Sequence, residues 1–252
     1  MSNGNDKRSL LNLCLGVLGR HLEDVTDQLH LIAPFLPPSL KMTLLAIARR
    51  KCLVSDGVLE TLLDESWEAL DISGSEVTDY GLERASKTCS SLKAVDISGC
   101  NNITSSSIQA LVQSCPLLEI LRCGGTSTSN AEAKQSIHFI VPRLNFEGEA
   151  EDCWETLESK QVGRGASSLK WLVWPAIDPI SHKRLTNECP KIVLNPTASS
   201  CRGAKSAKRK ARFHRLCALV QNQRRAEKAW IGSDMNAKAV FWAGVAQKSM
   251  RK

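Results

Sequence analysis

No run of about 18 apolar residues occurs in the sequence, so no segment reads as a membrane-spanning helix. The start, Met1 to Arg8, is polar and lacks the apolar stretch of a secretory signal, so the protein is expected in the nucleus, the cytoplasm or both. Ten cysteines are present but no C-x-x-C pair, the spacing that would suggest a zinc ribbon or a redox motif. Gly124-Gly125-Thr126 and Gly163-Arg164-Gly165 lack the lysine and spacing of a phosphate loop and read as turns. His21, His30, His138, His182 and His214 are scattered through segments of different character, outside any nucleophile or metal motif. The sequence therefore nominates no catalytic residue, no metal ligand and no cofactor, and the expectation is a non-enzymatic protein.

What the sequence does hold is internal repetition. From Trp67 to Thr126 it repeats with a period of about 25 residues, and a period in that range marks stacked supersecondary units. The clearest copy runs from Leu92 to Thr104, with Leu92, Val95, Ile97, Cys100 and Ile103 in the spacing L-x-x-L-x-L-x-x-C-x-x-I. Trp67, Leu70, Ile72 and Val77 fill the matching slots before it, and Leu118, Leu121 and Cys123 those after. Between these strand-like stretches, Leu82 and Ala85 in one segment, and Ile108, Leu111 and Val112 in the next, keep helical spacing. Thr78-Asp79 and Thr104-Ser105 stand where each helix begins, and Val54-Ser55-Asp56 opens the helical half of one more unit. Each unit is thus expected to be strand, turn and helix.

The cysteines follow the same period. Cys89, Cys115 and Cys189 each precede a strand slot by three residues, at Leu92, Leu118 and Ile192. Small apolar residues repeated in phase with a core read as reduced, buried thiols in preference to metal ligands, since zinc needs about four convergent donors.

Charge divides the chain in two. From Ser200 onward there are 14 Lys and Arg against Glu227 and Asp234, a net of +12, which leaves −5 for residues 1–199 out of the overall +7. The expected organisation is an N-terminal helical cap over 1–50, repeats over 51–126, an irregular acidic insertion over 127–168, terminal repeat fragments over 169–199 and a basic tail over 200–252. Within the cap, a helical pattern runs from Leu10 to Leu31, and a second starts after Leu36-Pro37-Pro38, where proline stops one helix and starts the next. Ala131 to Leu144 suits the helix of the third repeat, Leu169 to Pro175 resumes the strand, and Thr186 to Pro196 reads as a last abbreviated unit. Trp67 and Trp174 occupy core slots.

These residues resemble the cysteine-containing leucine-rich repeats of the ribonuclease-inhibitor-like class, best represented in F-box substrate receptors, with Val95 to Thr104 similar to that consensus almost throughout. A nearer likeness is to the antagonist-of-mitotic-exit-network family. It is carried by Leu13-Cys14-Leu15, Leu36-Pro37-Pro38-Ser39-Leu40-Lys41, Val54-Ser55-Asp56 and Leu70-Asp71-Ile72, and it covers residues 10–126 well and 169–195 weakly. The resemblance implies an α/β fold, a short leucine-rich-repeat solenoid with an N-terminal helical cap and a basic C-terminal tail, helical or disordered. It further implies a protein-binding scaffold in SCF-type ubiquitin-dependent degradation or cell-cycle regulation, with a ubiquitin-ligase adaptor among the partners. Leu36-Pro37 with Leu40, Leu44, Leu45 and Ile47 also has the order of an F-box start, but the remainder of that module is missing and a cap is the better reading.

In such a repeat the inward-curving strand face presents the intervening positions to solvent and to a partner. Here these are Asp71, Ser73, Asp96, Ser98, Arg122 and Trp171, with Gly124 and Val173 beside them, acidic in the first two repeats and aromatic near Trp171. The tail supplies a second candidate site: Lys205, Lys208, Arg209, Lys210, Arg212 and Arg215 suit a nuclear import signal read by an importin, or nonspecific contact with nucleic acid phosphates. Phe213, Leu216, Cys217 and Val220 keep helical spacing among these cations, a pattern that also fits calmodulin or an anionic membrane surface.

Overall fold

The computed structural model describes residues 10–140 and 166–196. Its frame is a sheet of five parallel strands in chain order: β1 (Ala69–Asp71), β2 (Ala94–Asp96), β3 (Ile120–Arg122), β4 (Trp171–Val173) and β5 (Val193–Leu194). Ala69 pairs with Ala94 and Ala94 with Ile120, spacings of 25 and 26 residues, so the sequence period is the rung-to-rung distance of the sheet. Ile120 pairs with Trp171 after 51 residues, and Trp171 with Val193 after 22. The chain therefore leaves the sheet after β3 and returns to the adjacent rung, with residues 141–165 of the excursion outside the described part.

Parallel neighbours need a crossover, and helices supply it. α5 (Asp56–Leu62) precedes β1, α6 (Asp79–Thr88) joins β1 to β2, and α7 (Ser105–Ser114) joins β2 to β3. The apolar stripes expected from spacing are the buried ones: Leu82 and Ala85 on α6, and Ile108, Leu111 and Val112 on α7. They share one hydrophobic cluster with Leu70, Val95, Leu121 and Leu172, the central residues of four strands. α8 (Ser127–Gln135), α9 (Ile137–Ile140) and α10 (Pro179–Glu188) complete the described helices after β3.

Two elements differ from expectation. The helix expected from Ala131 to Leu144, within the stretch assigned to an insertion, begins four residues earlier: residues 127–140 hold α8 and α9, and Thr126 and Ser129 form a reciprocal capping box that starts α8. The unit expected only from Thr186 begins earlier, because the Asp178 carboxylate accepts from the Ser181 N–H at 2.7 Å and Pro179 occupies the first turn of α10.

The N-terminal helices also break more often than their apolar pattern suggests. α1 (Leu10–Arg20) ends at His21, and α2 (Leu22–Val25) and α3 (Leu29–Ile32) are single turns joined and followed by 3-10 turns at Thr26–Gln28 and Ala33–Phe35. The Thr26 hydroxyl donates to the Leu22 carbonyl at 2.7 Å, and Pro34 brings no N–H, so neither stretch continues as one helix. α4 (Pro38–Arg50) starts at the proline pair as expected and buries Leu40, Leu44, Leu45 and Ile47.

Cysteines close the helices. Cys89, Cys115 and Cys189 are the C-terminal cap residues of α6, α7 and α10, all three buried and free of disulfides. The Cys89 thiol donates to the Asp64 carbonyl at 3.2 Å, and the Cys115 thiol to the Ser86 carbonyl at 3.6 Å. Burial pushes the Cys89 thiol up to about 11 and the Cys115 thiol up to about 12, so both stay protonated and weakly reactive at neutral pH. Trp67 and Trp174 sit in the core, 2% and 3% exposed. Among the described residues no helix is long and apolar enough to cross a membrane.

Candidate protein-binding face

Strand register decides which side chains share a surface. It lines up Ala69, Ala94, Ile120 and Trp171 in one row across β1 to β4, and Asp71, Asp96, Arg122 and Val173 in a second. Both rows point away from Leu70, Val95, Leu121 and Leu172, since neighbours along a strand alternate between faces. The structure thus brings together Asp71, Asp96, Arg122 and Trp171, with Ser73 and Ser98 just past the ends of β1 and β2. Lys205, Lys208, Arg209, Lys210, Arg212 and Arg215 lie outside the described residues.

The exposure of this face corrects the expectation of a solvated row. Asp71 is 1% exposed, Asp96 0% and Trp171 4%, while Ser73, Ser98, Arg122 and Val173 are half-buried. Buried carboxylates need partners, and these have them. Each Asp accepts twice on Oδ1 from the serine two residues on: Ser73 N–H at 3.0 Å and hydroxyl at 2.7 Å for Asp71, and Ser98 N–H at 3.1 Å and hydroxyl at 2.6 Å for Asp96. On Oδ2, Arg49 lies 3.5 Å from Asp71 and Arg122 3.0 Å from Asp96. Burial pushes the Asp71 carboxyl above the ordinary carboxylate range and the neighbouring Asp96 charge adds to this, against Arg49 and the Ser73 hydrogen bonds.

Two features of the face were missed by sequence reasoning. Arg49, at the end of α4, also donates to the Ser73 hydroxyl at 2.8 Å, so the N-terminal helices contribute a cation to the first rung. Its signal was the Arg49-Arg50 pair closing an otherwise apolar helix. The second is a row one residue ahead of the strands, Glu68, Lys93, Glu119 and Lys170, alternating in sign. Lys93 pairs with Glu68, and Lys170 with Glu119 at 3.0 Å. A recess of about 700 Å³ opens beside it, lined by Lys93, Leu117, Glu119, Lys170, Lys191 and Val193 among others.

Among the described residues no group of three or more His, Cys, Asp or Glu is placed to hold a metal ion. No protein-family model matches the chain and no solved structure matches it, so function is argued from this geometry.

Proposed function

We propose that the chain is a short α/β solenoid of leucine-rich-repeat type, capped by its N-terminal helices, and that it acts without catalysis as a protein-interaction scaffold whose strand face selects a partner. The observation that carries this reading is the in-register row of Asp71, Asp96 and Arg122, which sets two carboxylates and one guanidinium on adjacent rungs beside Trp171. Parallel rungs spaced by about 4.8 Å offer an extended or helical segment a regular series of contacts. A role in ubiquitin-dependent degradation or cell-cycle control, with a ligase adaptor, rests on the resemblance alone, as does placement in the nucleus or cytoplasm on the sequence alone.

Because Asp71 and Asp96 are buried, reversing their charge would test folding instead of binding. The test uses half-buried Ser98 and Val173, comparing proteins captured from cells by the wild-type chain and by Ser98→Arg/Val173→Arg, with thermal melts to show that both fold. A partner kept by the wild type and lost by the double variant supports the reading; a partner set indifferent to the two substitutions overturns it.

The net +12 of residues 200–252 favours a second reading, a nuclear protein that binds nucleic acid through its tail. Phosphate contacts weaken steeply with salt, so RNA or DNA binding that falls between 50 and 200 mM salt and disappears with the tail cations would establish it.

A further inference from the structure

The turns that lead into the strands alternate in bulk from rung to rung. Leu92, Leu118, Leu169 and Ile192 each donate a backbone N–H to the carbonyl three residues before, at Cys89, Cys115, Ala166 and Cys189, so the four turns are equivalent. The two residues within them are Ser90-Ser91, Pro116-Leu117, Ser167-Ser168 and Pro190-Lys191. A serine turn between two proline-led turns leaves a notch, and this is the recess of about 700 Å³, lined by Ser167 and Ser168 between Leu117 on one side and Pro190 and Lys191 on the other. Backbones two rungs apart are separated by about 10 Å. That space admits an extended peptide and excludes a helix, which is about 10–12 Å across with its side chains.

Charge at the notch is uneven. The row Glu68, Lys93, Glu119, Lys170 alternates in sign and then stops, because the last rung is one residue short: Ile192 runs directly into Val193, whereas Lys170 separates Leu169 from Trp171. No acidic fifth member follows Lys170. Lys191 of the adjoining turn lines the recess instead, exposed and, among the described residues, in no ion pair. Lys93 and Lys170 are matched by Glu68 and Glu119, so one positive charge of the three lysines, that of Lys191, is left over. Beside it lies apolar surface, with Leu117 49% exposed and Leu169, Pro190 and Val193 in the same lining.

We propose that this recess binds an extended acidic segment of a partner protein, which seats an apolar side chain against Leu117 and Pro190 and a carboxylate on Lys191. The volume is that of a ligand pocket, and a few apolar contacts with one well-placed charge are what such a pocket uses to orient its occupant. The inference rests on the scaffold reading above and gives the partner a chemistry: acidic and apolar residues adjacent in an extended stretch, taken up at the β4–β5 end of the sheet.

The test uses the full-length chain and a fluorescein-labelled peptide, Gly-Glu-Glu-Leu-Glu-Glu-Gly. Fluorescence anisotropy measures binding, and lysine acetylation read by mass spectrometry locates it. Acetylation of Lys191 is expected to slow several-fold when the peptide is present, while Lys87 and Lys183, exposed elsewhere, are unchanged. Lys191→Glu/Leu117→Asp is expected to weaken binding several-fold. Thermal melts show that this variant folds; should it not, Lys191→Glu alone, at an exposed position, carries the comparison. No saturable binding, or equal binding of Gly-Lys-Lys-Leu-Lys-Lys-Gly, overturns the proposal. So does acidic-peptide binding that leaves Lys191 acetylation and the variant's affinity unchanged, which would put the peptide on the cations after residue 200. Lys191 acetylated far more slowly than Lys183 before any peptide is added would mean that the chain itself, or a second copy, fills the recess, and rejects an outside partner there. An oligonucleotide that protects Lys191 more strongly than the peptide would assign the recess to nucleic acid and reject the peptide. Capture from cells separates the two readings. A partner lost by Ser98→Arg/Val173→Arg and kept by Lys191→Glu/Leu117→Asp sustains the scaffold and rejects the recess, whereas peptide binding at Lys191 with a captured set indifferent to Ser98→Arg/Val173→Arg keeps the recess and rejects the strand face.

Discussion

Asp79 and Thr104 join two successive helices through both oxygens of one carboxylate. The Thr104 N–H donates to Oδ1 and its hydroxyl to Oδ2, each at 2.7 Å. One unit earlier, Asp56 accepts from the Thr78 N–H at 2.9 Å and hydroxyl at 2.6 Å. Thr104 caps its own helix as expected, accepting from the Ser106 N–H at 3.4 Å, and also ties α7 to Asp79, whereas Thr78 makes the tie to Asp56 but no side-chain cap within α6.

Removing one such tie should cost stability across the repeat boundary. Asp79→Ala is expected to lower unfolding free energy by about 1–2 kcal/mol, the range for a cap or a charge-assisted hydrogen bond. Urea denaturation measures it, and a loss below about 0.5 kcal/mol would reduce the pair to a surface ornament.

Acid should act on Asp79 and Asp71 in opposite directions. Burial pushes the Asp79 carboxyl up, but hydrogen bonds from Ser107 and Thr104 outweigh it and leave the group below its ordinary value. A depressed folded value contributes stability above the unfolded pKa of about 3.9, lost as pH falls. Asp71, raised by burial and by Asp96, is penalised while ionised and relieved as pH falls through its folded value. The stability advantage of the wild type over Asp79→Asn should shrink on going from pH 7 to pH 3, and its advantage over Asp71→Asn should grow. Parallel trends in the two variants would contradict the assigned causes.

The helix and strand periods were legible because Leu92, Val95 and Ile97 and their counterparts recur at the spacing that separates successive parallel strands of the sheet. The burial of Asp71 and Asp96 was not. Alternation says toward which face a side chain points, not what lies over that face, and Arg49 reaches Asp71 from an earlier helix. α10 escaped notice for a different reason: Ser181 and Leu185 are its only buried residues, so almost no apolar stripe exists to be seen, although Asp178-Pro179 marked its start.

Thiol chemistry should divide the cysteines by burial. Cys14 and Cys52 are exposed, whereas Cys89, Cys100, Cys115, Cys123 and Cys189 are buried, with Cys123 pushed by burial up to about 12. The thiolate is the reactive form, so brief iodoacetamide treatment of native protein should leave these five unmodified, and all ten cysteines of the chain should react in urea. Peptide mapping that finds Cys115 or Cys123 alkylated in the native state would refute their place in the core.

Asp96 and Arg122 offer the sharpest test of the strand face itself. Asp96 is fully buried and Arg122 only partly so, with 3.0 Å between Oδ2 and Nε. Removing the cation leaves a carboxylate in a place where water cannot replace it, and breaking such a pair costs about 3–5 kcal/mol when both partners are buried. The partial exposure of Arg122 lowers that expectation to about 2–3 kcal/mol for Arg122→Ala. Removing both charges with Asp96→Asn/Arg122→Ala should recover part of the loss, because the uncompensated charge is gone while the Ser98 hydrogen bonds have an amide oxygen to accept them. A double-mutant cycle in urea gives the coupling directly. Coupling of about 1 kcal/mol or more means the two rungs are held by one buried pair; additive losses would mean that Arg122 packs beside Asp96 without neutralising it, and that other groups carry the carboxylate.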